Sequence, residues 1–334
     1  MQRFLRAVVR RPVLAFLATV LVGTLLCAGG AARDWAEYAV FAARAQALAL
    51  TDAGPVRTVD WSFRYRGSAL NLRVRVPRGQ IDAARALPSE RVFLSGGALR
   101  EAYMTTLVRT QSTSALVGGI ALQFRRLRDS LRLDDDRYVE LIADAVQEIP
   151  YGTPREHVSA PAGVLADSAG VCTEKSILLA AILLHEGYDT ALFVFDTQAH
   201  VAVGVRGAGP GLRGSGYAFI ETTRPSYVGE ADGRFLVSGG TTRALQLVRL
   251  GGDRTYASDI EAAFTVGALA RTRMTELALA PYPALRSRGA GTWRRIYAGL
   301  ADRHAQTTRL ADWMERNTDD RTRVYALLTR SGGR

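Results

Sequence analysis

The chain is 334 residues long, with 48% apolar and 22% charged residues and a mean hydropathy of +0.00. This length accommodates one to three domains with a buried core, and the composition excludes a globally disordered protein. Two cysteines, Cys27 and Cys172, are too few for a disulfide-built scaffold or a cysteine-rich zinc site.

Positive charge is in excess and unevenly distributed. The chain has 43 basic and 32 acidic residues, a net charge of +11, and Lys175 is its only lysine. Residues 134–229 hold 6 basic and 13 acidic residues, so the excess lies on the two flanks. A nucleic-acid interface needs basic residues gathered on one face, whereas these are dispersed. The distribution argues against a nucleic-acid partner and favours contact of the flanks with anionic lipid headgroups.

The first 32 residues indicate a membrane segment. Residues 1–11 carry four arginines, and residues 12–32 form an uncharged run of 21 residues. A helix needs about 20 apolar residues to cross the hydrocarbon core of a bilayer. Because the positive charge precedes the run, we expect a cytoplasmic N-terminus and one transmembrane helix in the cell membrane, with the rest of the chain outside the cytoplasm.

A cleaved signal sequence is the alternative interpretation of the same segment. Val13–Leu26 then serves as its apolar region, and the small residues at 28–32 lie near a cleavage site. Under this interpretation the mature protein is secreted.

Residues 33–133 predict helices on either side of a β-hairpin. Residues 33–56 are alanine-rich, and residues 96–133 read as helical. Between them, apolar and polar residues alternate around a turn signal at residues 66–68. The alternating apolar residues are Val59, Trp61, Phe63 and Tyr65, then Leu70, Leu72, Val74 and Val76. This period of two predicts a hairpin with one buried face, which Pro77 ends.

Residues 134–230 predict a compact α+β core. One helix begins at Asp134 and ends at Pro150, and a second begins at residues 170–172 and runs to about Glu186. Three strands are expected after it, at Thr190–Phe195, His200–Val205 and Tyr217–Glu221. This order predicts a cysteine-bearing helix packed on an antiparallel sheet. The chain after Gly240 reads as helical, so residues 231–334 are expected to form a helical, basic C-terminal region.

A glycine-rich segment separates the second and third of these strands. Residues 209–214 match the pattern G-x-G-x-x-G, which in other contexts cradles a phosphate. No helix follows the segment, so a phosphate site is unsupported. We interpret it as a flexible hairpin loop.

Three residues of the core suggest a nucleophile, a base and an acid that orients the base. Cys172 lies at the expected start of a helix, where free N–H groups and the helix dipole favour a thiolate. His200 begins a strand and Glu221 ends the next one, so the carboxylate can accept a hydrogen bond from the imidazole. Taken singly, each residue also fits an ordinary structural role. Together they match the pattern of an activated thiol.

The segments around these residues resemble the transglutaminase-like domain, which is related to papain-type cysteine peptidases. The similar segments are Gly170-Val171-Cys172-Thr173-Glu174-Lys175-Ser176, then Ala199-His200-Val201-Ala202-Val203-Gly204-Val205, then Tyr217-Ala218-Phe219-Ile220-Glu221-Thr222-Thr223. Ile149-Pro150-Tyr151 and Gly229-Glu230 fit the usual flanks of such a domain. The resemblance covers residues 135–230, about a third of the chain.

The resemblance implies a reaction and a role for each residue. Cys172 is expected as the nucleophile, His200 as general base and acid, and Glu221 as the third member, at a position more often occupied by aspartate. The implied activity is thiol-dependent acyl transfer on peptide or glutamine amides, with a protein or peptide substrate and no metal or organic cofactor. The oxyanion donors are expected to be the Cys172 backbone N–H and Tyr151, because no Gln, Asn or Trp lies between these two residues.

Two alternatives stay open at this stage. The acyl acceptor is either water, as in a peptidase or amidase, or an amine, as in a transglutaminase, and we favour hydrolysis because no pocket for an amine is identifiable. The other class of function is a membrane-tethered binding or scaffolding module in which the core no longer turns over.

The expected topology is testable with a reporter fused after residue 56. The reporter should be active outside the cytoplasm, and the full chain should sediment with membranes and resist alkaline extraction. A soluble protein whose N-terminus lies near residue 32 would establish the signal-sequence alternative.

Overall fold

A computed structural model describes residues 32–256, apart from residues 52–53, 66–67, 88–96, 155–156, 197–198, 225, 227, 230 and 232–244. The expected cytoplasmic segment, all but the last residue of the expected membrane segment, and the chain after residue 256 lie outside the described residues. Among the helices that are described, none is both long enough and apolar enough to span a bilayer.

The described residues form an α+β fold, as the sequence predicts. In chain order the elements are α1 (residues 32–50), β1 (Val56–Tyr65), β2 (Ser68–Pro77), α2 (Arg78–Arg85), α3 (Gly97–Ser112), α4 (Ala115–Leu131), α5 (Asp135–Gln147), α6 (Pro161–Asp167), α7 (Cys172–His185), β3 (Thr190–Phe195), β4 (His200–Arg206), β5 (Tyr217–Ile220) and β6 (Gln246–Gly251). Strands β1 and β2 form a separate hairpin, and the other four strands form an antiparallel sheet in the order β5-β4-β3-β6.

The hairpin packs with its apolar face on the helices. Strands β1 and β2 pair from Val56↔Pro77 to Tyr65↔Ser68, so the predicted alternation places its apolar residues on one buried face. The Trp61 Nε1–H donates to the Ala145 carbonyl in α5 at 3.0 Å, and its ring lies edge-on to Phe124 of α4 at 5.8 Å between centroids. The hairpin is therefore anchored to the same helix that leads to the candidate site.

Helix α7 lies at the centre of the fold. It packs against β3 and β4 of the sheet and against α3, α4, α5 and α6. Its residues from Ser176 to Leu183 are all fully buried, which explains why it has an apolar sequence without the polar face of a surface helix. This burial fixes the position of Cys172 at its first turn.

The prediction of helix after Gly240 is wrong for the described residues of that region. Gln246–Gly251 form β6, which pairs antiparallel with β3 from Val194↔Gln246 to Thr190↔Gly251. The apolar residues of this short segment fit both the 3.6-residue period of a helix and the two-residue period of a strand. Only its pairing with a distant strand therefore decides its structure. The sheet that carries His200 therefore extends past the expected core boundary at residue 230.

The glycine-rich segment connects the antiparallel strands β4 and β5 as a hairpin loop and contains a turn of its own. Leu212 is buried within a 3₁₀ turn, Leu212–Gly214, and the Gly216 N–H donates to the Pro210 carbonyl at 2.8 Å. Gly211 has a φ of 69°, and a Cβ there would lie 2.2 Å from the Tyr217 backbone nitrogen. The glycine allows the loop to fold back on β5.

Removing the Trp61 side chain tests how the hairpin is attached. We expect Trp61→Ala to lower the free energy of unfolding by about 3–5 kcal/mol, because a buried ring and its hydrogen bond to α5 are lost. Arg57→Ala, at an exposed position on the same strand, should change it by no more than about 0.5 kcal/mol. Urea denaturation of both variants provides the comparison, and equal small effects would show that the hairpin does not depend on this contact.

Candidate active site

Cys172 is the first residue of α7, at the end of the helix that carries its free N–H groups. The preceding residue, Val171, is extended and has no side-chain oxygen with which to cap the helix. Glu174 bonds the residues ahead of the helix instead, since its Oε2 accepts from the Val171 N–H at 2.9 Å and its Oε1 accepts from the Ser159 N–H at 2.8 Å. Cys172 itself is 8% exposed. The start of the helix is thus fixed by a carboxylate of its own first turn.

His200 begins β4, and Glu221 directly follows the adjacent strand β5. The register of β4 and β5 pairs Val203 with Ile220, and continuing it places Glu221 opposite Ala202, diagonal to His200 on the same face. The His200 Nε2 lies 3.1 Å from the Glu221 Oε2. The side chains are 11% and 1% exposed, respectively, so the pair is shielded from water. The expected orienting contact is therefore present.

The second carboxylate oxygen of Glu221 is held by the chain that follows β5. Its Oε1 accepts hydrogen bonds from the Thr222 N–H at 2.9 Å, the Thr223 N–H at 2.9 Å and the Thr223 hydroxyl at 2.7 Å. Burial raises the pKa of Glu221, but His200 and these donors outweigh it and lower the pKa to about 2. Glu221 is an ionised carboxylate with both oxygens occupied.

The Cys172 thiol lies near the His200 imidazole and interacts with it electrostatically. Burial raises the pKa of the thiol, yet the hydrogen bond and charge of His200, with N–H donors from Val201 and Thr173, lower it below its usual value. Burial lowers the pKa of His200, whereas Cys172 and Glu221 raise it to about 9. Both shifts are in the direction that favours a thiolate beside an imidazolium.

Tyr151, the predicted oxyanion donor, lies near Cys172. A parallel bridge joins Tyr151 to Gly170, with Gly152 N–H to Gly170 O and Gly170 N–H to Pro150 O both at 3.1 Å. Burial and the charge of the nearby Cys172 raise the pKa of the Tyr151 hydroxyl, and the Cys172 backbone opposes this shift. The hydroxyl therefore keeps its proton at neutral pH and is a donor. With 56% of its surface exposed, Tyr151 is the solvent-facing member of the group.

Two polar residues behind the site were not predicted. The Gln147 side-chain amide donates to the Glu221 carbonyl at 2.8 Å, and the Lys175 ammonium, which is fully buried, donates to the Gln147 and Ile149 carbonyls at 3.0 and 2.5 Å. The sequence carries a signal for Lys175, since it is the only lysine of the chain. Gln147 carries none, because a glutamine in the last turn of a helix is ordinary.

No metal centre is evident in the part of the chain that is described. Among these residues there is no group of three or more His, Cys, Asp or Glu side chains arranged to hold an ion.

Comparisons of the chain with models of protein families, with curated proteins and with solved structures find no match. The function is therefore inferred from the residues and their geometry.

The His200–Glu221 pair makes a pH-dependent contribution to stability, which Glu221→Gln should remove. The folded pKa of Glu221 lies below its unfolded value, so its contribution is present above pH 4.5 and is lost as the pH falls toward 2. The folded pKa of His200 lies above its unfolded value, so its contribution is present below pH 6.5 and is lost as the pH rises through 9.

We therefore expect Glu221→Gln to lower the free energy of unfolding most between pH 4.5 and pH 6.5, by about 3 kcal/mol, because it leaves the buried His200 imidazolium without its counter-charge. The loss of unfolding free energy caused by Glu221→Gln should decrease as the pH rises toward 9, because His200 loses its proton there. Urea denaturation of both proteins across this range measures the difference, and a cost that does not change with pH would contradict the ion pair. Thr58→Ala, on an exposed strand position, is a control without a pH-dependent cost.

Proposed function

We propose that this protein is a thiol-dependent acyl-transfer enzyme of the transglutaminase-like type, acting on peptide or glutamine amides through Cys172, His200 and Glu221. The observation that carries the proposal is the buried pair of the His200 imidazole and the Glu221 carboxylate, 3.1 Å apart, beside a thiol at the start of α7 whose pKa the imidazole lowers. An inert core cysteine needs neither of these partners. The resemblance of the surrounding segments to transglutaminase-like domains supports the same conclusion.

The chemistry follows from the protonation states. The Cys172 thiolate attacks the amide carbonyl and forms a carbon–sulfur bond, and the carbonyl oxygen becomes an oxyanion. The backbone N–H of Cys172 and the Tyr151 hydroxyl are the proposed donors to that oxyanion. The His200 imidazolium then gives its proton to the leaving amine as the carbon–nitrogen bond breaks, which leaves a thioester on the enzyme.

The second half-reaction regenerates the thiolate. Neutral His200 takes a proton from water or from an amine, and the resulting nucleophile attacks the thioester and displaces sulfur. The imidazolium and thiolate pair is then restored. Glu221 keeps the ring oriented and favours its charged form throughout. We favour water as the acceptor and a protein or peptide as the substrate.

We further propose that the described fold is held at the outer face of the cell membrane by residues 12–32, with release after signal cleavage as the alternative. The four arginines ahead of the apolar run support this orientation. A membrane tether would confine the thiol chemistry to substrates outside the cytoplasm.

The reactivity of Cys172 tests the proposal without knowledge of the substrate. The rate constant for alkylation of Cys172 by iodoacetamide should stay high well below pH 8.5, the approximate pKa of a free thiol. An ordinary thiol of that pKa is only about 1% ionised at pH 6.5. His200→Ala should lower the rate at pH 6.5 about tenfold, because the adjacent cation is lost, while the N–H donors of Val201 and Thr173 make the loss partial.

His185→Gln is the matched control, since His185 lies on the same helix and its ring bonds the Ser112 carbonyl at 2.7 Å. The pH dependence of Cys172 alkylation in His185→Gln should match that of the unmodified protein. A folded protein with an unreactive Cys172 at pH 7, unchanged by His200→Ala, would exclude the enzyme and support the tethered binding module.

A further inference from the structure

Lys175 is a buried charge that the proposed reaction does not use. Its side chain has no exposed surface, and its ammonium donates to the Gln147 carbonyl at 3.0 Å and the Ile149 carbonyl at 2.5 Å. These carbonyls lie at the C-terminal end of α5, where a helix has no intrahelical donors left. The ammonium thus caps one helix from within the first turn of another.

The choice of lysine at this position is informative. Apart from the histidines, every other basic residue of the chain is an arginine, although the chain has 43 Lys and Arg residues in all. A guanidinium is a wide planar fork, whereas an ammonium is a compact charge whose three donors diverge from one nitrogen. The stem of the lysine is closely packed, because a Cβ on Gly170 would lie 3.3 Å from the Cγ of Lys175.

The ammonium is connected to the segment that carries Tyr151. Ile149, one of its acceptors, lies two residues before Tyr151, and the next carbonyl, that of Pro150, accepts the Gly170 N–H at 3.1 Å. Lys175 and Gly170 therefore hold this segment at two successive carbonyls. Cys172 lies between these two attachment points in the sequence.

The ammonium is also connected to Glu221. Gln147, its other acceptor, donates through its side chain to the Glu221 carbonyl at 2.8 Å and to the Ser226 carbonyl at 3.0 Å. The charge of Glu221 stabilises the ammonium, although burial lowers the pKa of Lys175 to about 8. One side chain therefore contacts the supports of Tyr151 and Glu221, two site residues that lie 70 positions apart in the sequence.

We infer that Lys175 is a positioning residue of the proposed active site: its buried ammonium fixes the end of α5 against the start of α7 and so sets Tyr151 and Glu221 relative to the Cys172 thiol. This inference rests on the proposed function. Lys175 touches no reacting atom, and it acts through the Ile149–Tyr151 segment and through Gln147.

A double-mutant cycle in the full chain tests the inference. Lys175→Met keeps an unbranched stem as far as the Cε position and removes the ammonium, and Tyr151→Phe removes the hydroxyl near the thiol. Each change should lower the rate constant for iodoacetamide alkylation of Cys172 at pH 6.5 by about fivefold, the effect of a coupling of ordinary size. In the Lys175→Met background, Tyr151→Phe should have no further effect, because the hydroxyl is already displaced.

The cycle distinguishes positioning from a purely electrostatic effect of the ammonium. If Lys175 acted only by its charge, the two effects would multiply, and that result would overturn the inference. Ile182→Ala is the control for lost stability, since Ile182 is buried in the same helix about 15 Å from Cys172 at 1.5 Å per residue. It should leave the pH profile of alkylation unchanged. A wild-type thiol that is unreactive at neutral pH would instead refute the proposed function itself.

A measurement on the unmodified sequence covers the case in which Lys175→Met does not fold. Lysine labelled with ¹⁵N at Nζ gives a single ammonium signal by NMR, because the chain has one lysine. Alkylation of Cys172 should shift that signal, since it displaces the Tyr151 hydroxyl and the segment behind it. A signal that alkylation leaves in place would show that Lys175 is not coupled to the site.

Discussion

A helix that is buried on all sides has to satisfy the polar groups at its ends with protein rather than with water. Around the start of helix α7, three consecutive side chains of the helix bond such polar groups, each on a different element. Glu174 bonds the residues ahead of its own helix, Lys175 caps α5, and the Ser176 hydroxyl donates to the Val201 carbonyl of β4 at 3.0 Å. Cys172 sits at the point where these attachments converge, so its surroundings are specified before any substrate is considered.

The same arrangement brings several ionisable side chains into the protein interior, where a charged group loses the free energy of its hydration. Lys175 and Glu221 are almost without exposed surface, and His200 is largely buried when it carries its proton. Replacing such groups with apolar residues often leaves stability unchanged or improves it, so their presence is weak evidence for a structural purpose. Perturbed pKa values gathered at one cleft are, by contrast, the usual mark of a site that performs chemistry.

The sequence predicts the elements that carry the site better than it predicts what surrounds them. Periodicity and glycine stop signals locate α7 and the strands β3, β4 and β5 to within a residue or so, and these positions bring His200 to Glu221. Helices α2 and α6 were not predicted, because their 8 and 7 residues are too few to show the 3.6-residue period of a helix. The role of Lys175 could not be predicted, because it depends on carbonyls of another helix and not on neighbours in the sequence.

The burial of Lys175 has one further effect on the surface of the protein. Since it is the only lysine, the folded chain presents no ε-amino group to solvent, and its outward basic side chains are all guanidinium or imidazole. Guanidinium groups stay protonated in proteins and do not attack thioesters as free amines do. If amines serve as acyl acceptors for this thiol, the protein is protected from cross-linking itself through its own side chains.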